Sequence, residues 1–173
     1  MDEVSDANFV LEAPSYNKWQ DKNLAILSRW VDLYTADQVS TLILKAEEQG
    51  VSIRQLKTQM ANMFADMSKE RINVIVRTET IKLWSYAQDQ ARQQSGVVDQ
   101  KERYTAIDER VCPYCNSMHK KKIGLGGTFF KKWDRLTVAG AGTIKLDYES
   151  VKGPPIHPNC RCTLLPVIND IDA

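Results

Sequence analysis

Apolar side chains recur every three to four positions from about residue 17 to residue 95, and after that the pattern breaks into short alternating runs. Trp19, Ile26, Leu27, Trp30, Val31 and Tyr34 predict an amphipathic helix over 17–34, behind an aperiodic arm over 1–16 that Pro14 keeps from being helical. Thr35-Ala-Asp-Gln38 has the form of a capping box, in which the Thr oxygen accepts an orphan backbone N–H and Gln38 reaches back. A second helix then presents Val39, Leu42, Ile43 and Ala46 and stops at Gly50. Ser52-Ile-Arg-Gln55 repeats the box before a third helix whose apolar face is Ile53, Leu56, Met60, Met63, Phe64 and Met67, its methionines read as core filling. Ser68 caps a fourth, longer helix to about Ser95, with Glu70 in its first turn, Ile72, Val76, Leu83 and Ala87 inward, and Gly96 as its stop.

Glu79 interrupts that last stripe. A carboxylate on an apolar face either rotates to the edge and water or is buried with a partner, here an arginine such as Arg110 or Arg161. Past Gly96 the runs 103–107, 136–138, 144–148 and 164–168 read as strands, with Gly124-Leu-Gly-Gly127 as a turn rather than a phosphate loop, since it lacks the Lys and Ser/Thr such a loop needs. The expected fold class is therefore α+β: an arm over 1–16, a helical region over 17–97 and a small β-rich module over 98–173.

Composition adds limits. At 173 residues, 43% hydrophobic and 26% charged, the chain can bury a core but cannot be a large multidomain enzyme. No run of ~18 apolar residues occurs and the N-terminus is acidic, so neither a membrane span nor a secretory signal is expected. The net charge of +1 conceals a basic stretch: residues 100–135 carry nine basic and four acidic groups. Lys120, Lys121, Lys122, Lys131 and Lys132 are candidates for contact with DNA or an acidic partner, or form a solvated face.

All four cysteines lie in this module, as Cys112-Pro-Tyr-Cys115 and Cys160-Arg-Cys162, with His157 three residues before the second pair. The C-x2-C spacing lets two thiolates from one turn occupy adjacent corners of a tetrahedron around zinc, and a β unit this small needs a staple. Five donors, Cys112, Cys115, His157, Cys160 and Cys162, compete for four positions, with His119 a weaker sixth. A disulfide framework wants an oxidising compartment, and a redox C-x-x-C wants a βαβ setting that the pattern lacks. A cysteine-rich set argues for structural zinc rather than an open catalytic site. Two histidines leave little for acid–base chemistry, and no hydrolase, zincin or dinucleotide fingerprint occurs.

Three blocks carry a resemblance: Arg77-Thr-Glu79-Thr, then Asp108-Glu-Arg110-Val-Cys112-Pro-Tyr-Cys115, then Pro154-Pro155-Ile-His157-Pro-Asn-Cys160-Arg161-Cys162. In this order they resemble the Mu-F-type phage head morphogenesis proteins, or phage minor head proteins, across roughly 77–166. The resemblance implies a non-enzymatic virion protein near the portal vertex, made in the host cytoplasm, with the portal or other head proteins as partners and a role in DNA packaging or ejection. Arg77, Glu79, Asp108, Arg110 and Arg161 fall on its motif positions, and their chemistry suggests a polar clamp between the zinc unit and the helices. Many relatives carry a further toxin domain; this chain ends at Ala173, just past the last block, so toxin activity is not expected. The basic insert from Lys120 to Gly153 keeps a second reading open, a small zinc-stapled nuclease or toxin-like enzyme, and a cellular zinc adaptor acquired from a prophage is a third.

Overall fold

The computed structural model describes residues 31–168 and, before them, Asp21, Asn23 and Leu27. The expected arm over 1–16 and most of the helix expected over 17–34 lie outside these residues. Three helices come first: α1 (Leu33–Glu48), α2 (Ile53–Met63) and α3 (Lys69–Ser95).

α1 begins earlier than its capping box suggested. Asp32, not Thr35, is the N-cap: its carboxylate accepts from the Thr35 backbone N–H and from the Thr35 hydroxyl, at 2.9 and 2.6 Å. An ionised acceptor at the positive end of a helix outcompetes a hydroxyl two residues inside it. Tyr34 consequently sits in the first turn of α1 and is exposed rather than part of an apolar face. Ser52 and Gln55 do form the reciprocal box that opens α2, and Ser68 caps α3. Gly50 and Gly96 lie just past helix ends at φ +64° and +67°, the left-handed backbone that costs a residue without Cβ least.

The helices share one core of Val39, Ile43, Ala46, Leu56, Met60, Ile72, Ile75, Val76 and Leu83. Met60 is wholly buried, but Met63 and Ile53 are about half exposed, because α2 meets its neighbours along a stripe narrower than the apolar pattern. Ala87, expected inward, is only half buried. Beyond Leu83 the inward face of α3 turns polar, with Ser85, Asp89 and Arg92 buried.

These polar residues face a three-stranded antiparallel sheet, ordered β2 (Lys122–Gly124), β1 (Gln100–Tyr104), β5 (Thr163–Val167). β1 pairs Gln100 with Val167 and Tyr104 with Thr163. It begins three residues before the expected run because its buried positions are Lys101 and Arg103, charged side chains that give no apolar alternation. Lys101 Nζ meets Asp89 Oδ1 at 2.7 Å, and Arg92 donates to the Leu164 carbonyl at 2.6 Å, so helix and sheet are joined by buried charge. β3 (Asp134–Val138) and β4 (Gly142–Leu146) form a separate hairpin. A short helix, α4 (Pro113–Ser117), precedes β2, and Gly127 N–H closes the expected glycine turn onto the Gly124 carbonyl at 2.8 Å. Around Cys115, Cys160 and Cys162 a second core gathers Met118, Leu136, Leu146, Val151 and Ile156. No helix among the described residues is long and apolar enough to cross a membrane.

Candidate metal centre

The two cysteine blocks meet at the end of the sheet. Cys112 is the N-cap of α4: its sulfur accepts from the Cys115 backbone N–H at 3.3 Å while Pro113, which has no N–H to satisfy, opens the first turn. This local geometry turns both sulfurs the same way. From the other side, the loop that leads into β5 supplies His157, Cys160 and Cys162, with Asn159 at φ +63°, a backbone that asparagine tolerates better than most residues.

All five expected donors converge. His157 Nε2 lies 3.0 Å from Cys112 Sγ and 3.1 Å from Cys115 Sγ, and Cys115 Sγ lies 3.7 Å from Cys160 Sγ. They form two groups that can hold a metal ion, Cys112–Cys115–His157 and Cys115–Cys160–Cys162, with Cys115 in both. All four cysteines are free thiols, so the disulfide framework is not formed. Two thiolates on one tetrahedral zinc stand about 3.8 Å apart when each Zn–S bond is about 2.3 Å, close to the Cys115–Cys160 spacing.

The surroundings suit a cation held by sulfur and imidazole. His157 Nδ1 lies 2.7 Å from the Pro158 carbonyl, which can only accept, so Nδ1 carries the proton and the Nε2 lone pair points at the two sulfurs. Thr105 Oγ1 touches Cys162 Sγ at 3.2 Å and donates to the Cys115 carbonyl at 3.0 Å. Contact with Cys160 and Cys162, reinforced by burial, pushes the Cys115 thiol up, whereas contact with Cys115 and Cys160 holds Cys162 well below the ordinary thiol range. Cys160 is pushed up as well, so of the three sulfurs beside Arg103 it is Cys162 that is favoured as the thiolate. Burial opposes the charge of that guanidinium, but the facing sulfurs Cys162, Cys160 and Cys115 outweigh it. His119 is elsewhere: its Nδ1 accepts from the Thr105 backbone N–H and its ring meets Tyr104 edge-on.

The polar positions divide. Arg161 grips Asp108 with two hydrogen bonds of 2.6 and 2.5 Å, which hold the Asp108 carboxyl far below the usual carboxylate range. Arg110 is largely exposed and, among the described residues, pairs with Asp108 and Glu109. Glu79 is buried, but its partners are Lys82 at 2.7 Å and Asn23 at 2.8 Å, not Arg110 or Arg161. Lys82 is one turn further along the same helix face, and Asp108 already occupies the guanidinium of Arg161. Contact between α3 and the second cysteine loop runs instead through Arg77, which donates to Asn159 Oδ1 at 2.8 Å, and Thr78, whose hydroxyl accepts from the Asn159 backbone N–H at 2.9 Å.

The lysines split too. Lys122 pairs with Glu102 beside β2, away from Lys131 and Lys132, which lie next to the β3–β4 hairpin, where Lys132 covers the exposed Trp133 ring at 5.1 Å. Arg103, Thr105, Thr78 and Asn159 were not found from sequence. Arg103 sits in a strand without apolar alternation and Thr105 just past its end, and only their proximity to sulfur marks them.

Residues 37–165, well over half the chain, match the family model described as Phage Mu protein F like protein. The chain belongs to this family, the phage head morphogenesis proteins that the three sequence blocks resemble, and the match takes in α1 and α2 as well as the β module. No curated protein and no solved structure matches the chain.

Proposed function

We propose that this protein is a minor head protein of a phage particle, located at the portal vertex, whose β module is stapled by one structural zinc ion. The observation that carries the zinc reading is the convergence of four thiols and one imidazole lone pair on a single end of the sheet. His157 and three of the four sulfurs would complete a closed tetrahedral site, and Cys115 is common to both donor groups. A closed set supports a structural rather than an enzymatic role. The cleft beside it, of about 160 Å³, is lined by Arg110, Asn159 and Arg161 but by no carboxylate able to act as a general base.

The clamp is proposed in altered form. Arg77 and Thr78 tie α3 to the second cysteine loop, Asp108 and Arg161 join the two cysteine blocks, Arg110 caps the Asp108 pair from solvent, and Glu79 braces the helical side with Lys82. DNA contact, in packaging or ejection, is assigned to the hairpin side. Lys131 and Lys132 are joined there by Arg135 and Lys145, like charges directly opposite each other across β3 and β4. Such a pair is destabilising in isolation, and a polyanion relieves it. Lys120, Lys121 and Lys122 form a second, separate basic contact.

Quantitative peptide mass spectrometry of purified particles tests the assignment. A few copies per particle, enriched with the portal, are expected. Absence from mature particles, with plasmid cleavage by clean protein in magnesium, manganese or zinc, would replace it with the nuclease reading. Metal analysis of the same preparation should give one zinc per chain.

A further inference from the structure

The inward face of β1 carries two fully buried cations, Lys101 and Arg103, each with no measurable exposure. Lys101 has a carboxylate partner, Asp89. Arg103 has none among the described residues. Among the described residues the guanidinium makes one hydrogen bond, from Nη2 to Cys160 Sγ at 3.5 Å, while its Nε and Nη1 are buried with no partner. An uncompensated guanidinium in a protein interior is strongly unfavourable, and neutral thiols, weak acceptors that they are, do not compensate it. The compensating charge must lie where the guanidinium points, among the sulfurs of Cys115, Cys160 and Cys162.

We infer that Arg103 is the built-in countercharge of a thiolate-rich metal centre, a positioning residue that sets how firmly the centre holds its ion. The inference rests on the zinc reading above. Zn²⁺ with three thiolates and a neutral imidazole carries one net negative charge, and one guanidinium cancels it. Four thiolates without His157 would leave one negative charge uncancelled in an apolar core, so Arg103 also favours the set that includes His157. Donation from Nη2 to the Cys160 sulfur is the kind of outer contact that orients a ligand and lowers the energy of its lone pairs. Lysine keeps the charge but loses the planar fork; glutamine keeps some hydrogen bonding and loses the charge.

The test compares wild type with Arg103→Lys, Arg103→Gln and Arg103→Met, loaded with zinc alone and, separately, with cobalt(II) alone. Release of zinc to a chromogenic chelator gives one readout. Loss is expected to be about tenfold faster or more in Arg103→Gln, as for other outer-shell changes, with Arg103→Lys much closer to wild type. The cobalt spectrum gives the second: removing the cation raises the sulfur lone pairs, so the thiolate-to-cobalt charge-transfer band shifts to lower energy in Arg103→Gln and little in Arg103→Lys. If Arg103→Met does not fold, the Lys and Gln variants, similar in polarity and bulk, still isolate the charge. Equal release rates and unshifted bands in these two would overturn the inference, Arg103 then being a space-filling side chain. Wild-type protein that binds no zinc would overturn the zinc reading itself, a distinguishable result.

Discussion

The Lys101–Asp89 pair offers the sharpest test of how helix and sheet are joined. Asp89→Asn keeps the volume of the side chain but leaves an ammonium with no accessible surface facing a neutral amide. Breaking a buried pair by removing one partner costs about 3–5 kcal/mol. The lower end is expected here, because Asp89 keeps some exposure and shares a hydrogen bond with Gln93 that Asn can retain. Burial already holds Lys101 below its ordinary range, and the hydrogen bond and charge of Asp89 oppose that drop. Without Asp89 the folded-state pKa falls further, so between that value and the unfolded value near 10.5 the unfolded chain binds more protons than the folded one. Stability then rises with pH across that window, and the deficit of the variant shrinks as the solution becomes alkaline. Urea unfolding followed by circular dichroism, at pH 7 and again near pH 9.5, reads both effects. Lys101→Met combined with Asp89→Leu should recover much of the loss, since an apolar pair of similar volume often replaces a buried ion pair without penalty. A deficit below about 1 kcal/mol at pH 7, or one that does not change with pH, would refute the reasoning.

Further expectations follow from the same geometry. Cys115→Ser should abolish zinc retention and broaden the methyl and amide NMR signals of the β module, while the signals of α1 and α2 persist; metal analysis and two-dimensional spectra check this. Met60→Ala, at a wholly buried position in the helical core, should cost about 2–4 kcal/mol in urea unfolding, whereas Met63→Ala, half exposed, should cost under about 1 kcal/mol. Asp108 has a depressed carboxyl pKa through Arg161, so its contribution is present above its unfolded value near 3.8 and is lost as pH falls through the lower folded value; Asp108→Asn should remove that part of the acid dependence in a pH titration of stability. If the hairpin meets DNA, replacing Lys132, Arg135 and Lys145 with alanine should flatten the slope of log affinity against log salt by roughly 0.9 for every phosphate no longer neutralised, measured by fluorescence anisotropy on duplex DNA.

By itself the sequence determined the elements whose driving force is local. Ser52 with Gln55, Ser68, Gly50 and Gly96 each satisfy or terminate a helix through groups a few residues apart, so the starts of α2 and α3 and the ends of α1 and α3 follow from spacing alone. The same holds for the Cys and His residues of the candidate metal centre, because soft ligands at C-x2-C spacing signal their chemistry without reference to the rest of the chain. Where several local solutions competed, as between Asp32 and Thr35 at the start of α1, the pattern could not rank them. Tertiary structure alone decided which buried charge meets which. β1 hides Lys101 and Arg103 where apolar residues would announce a strand, and their partners lie 12 residues away on α3 and 57 residues away in the second cysteine loop. Glu79 was legible as a carboxylate on an apolar face, turned to water or buried with a partner, but not which, nor its partners, since Asp108 had first to claim Arg161 across the two cysteine blocks. Electrostatic pairing inside a core depends on distance in space after the chain has closed, and no periodicity along the chain carries that distance.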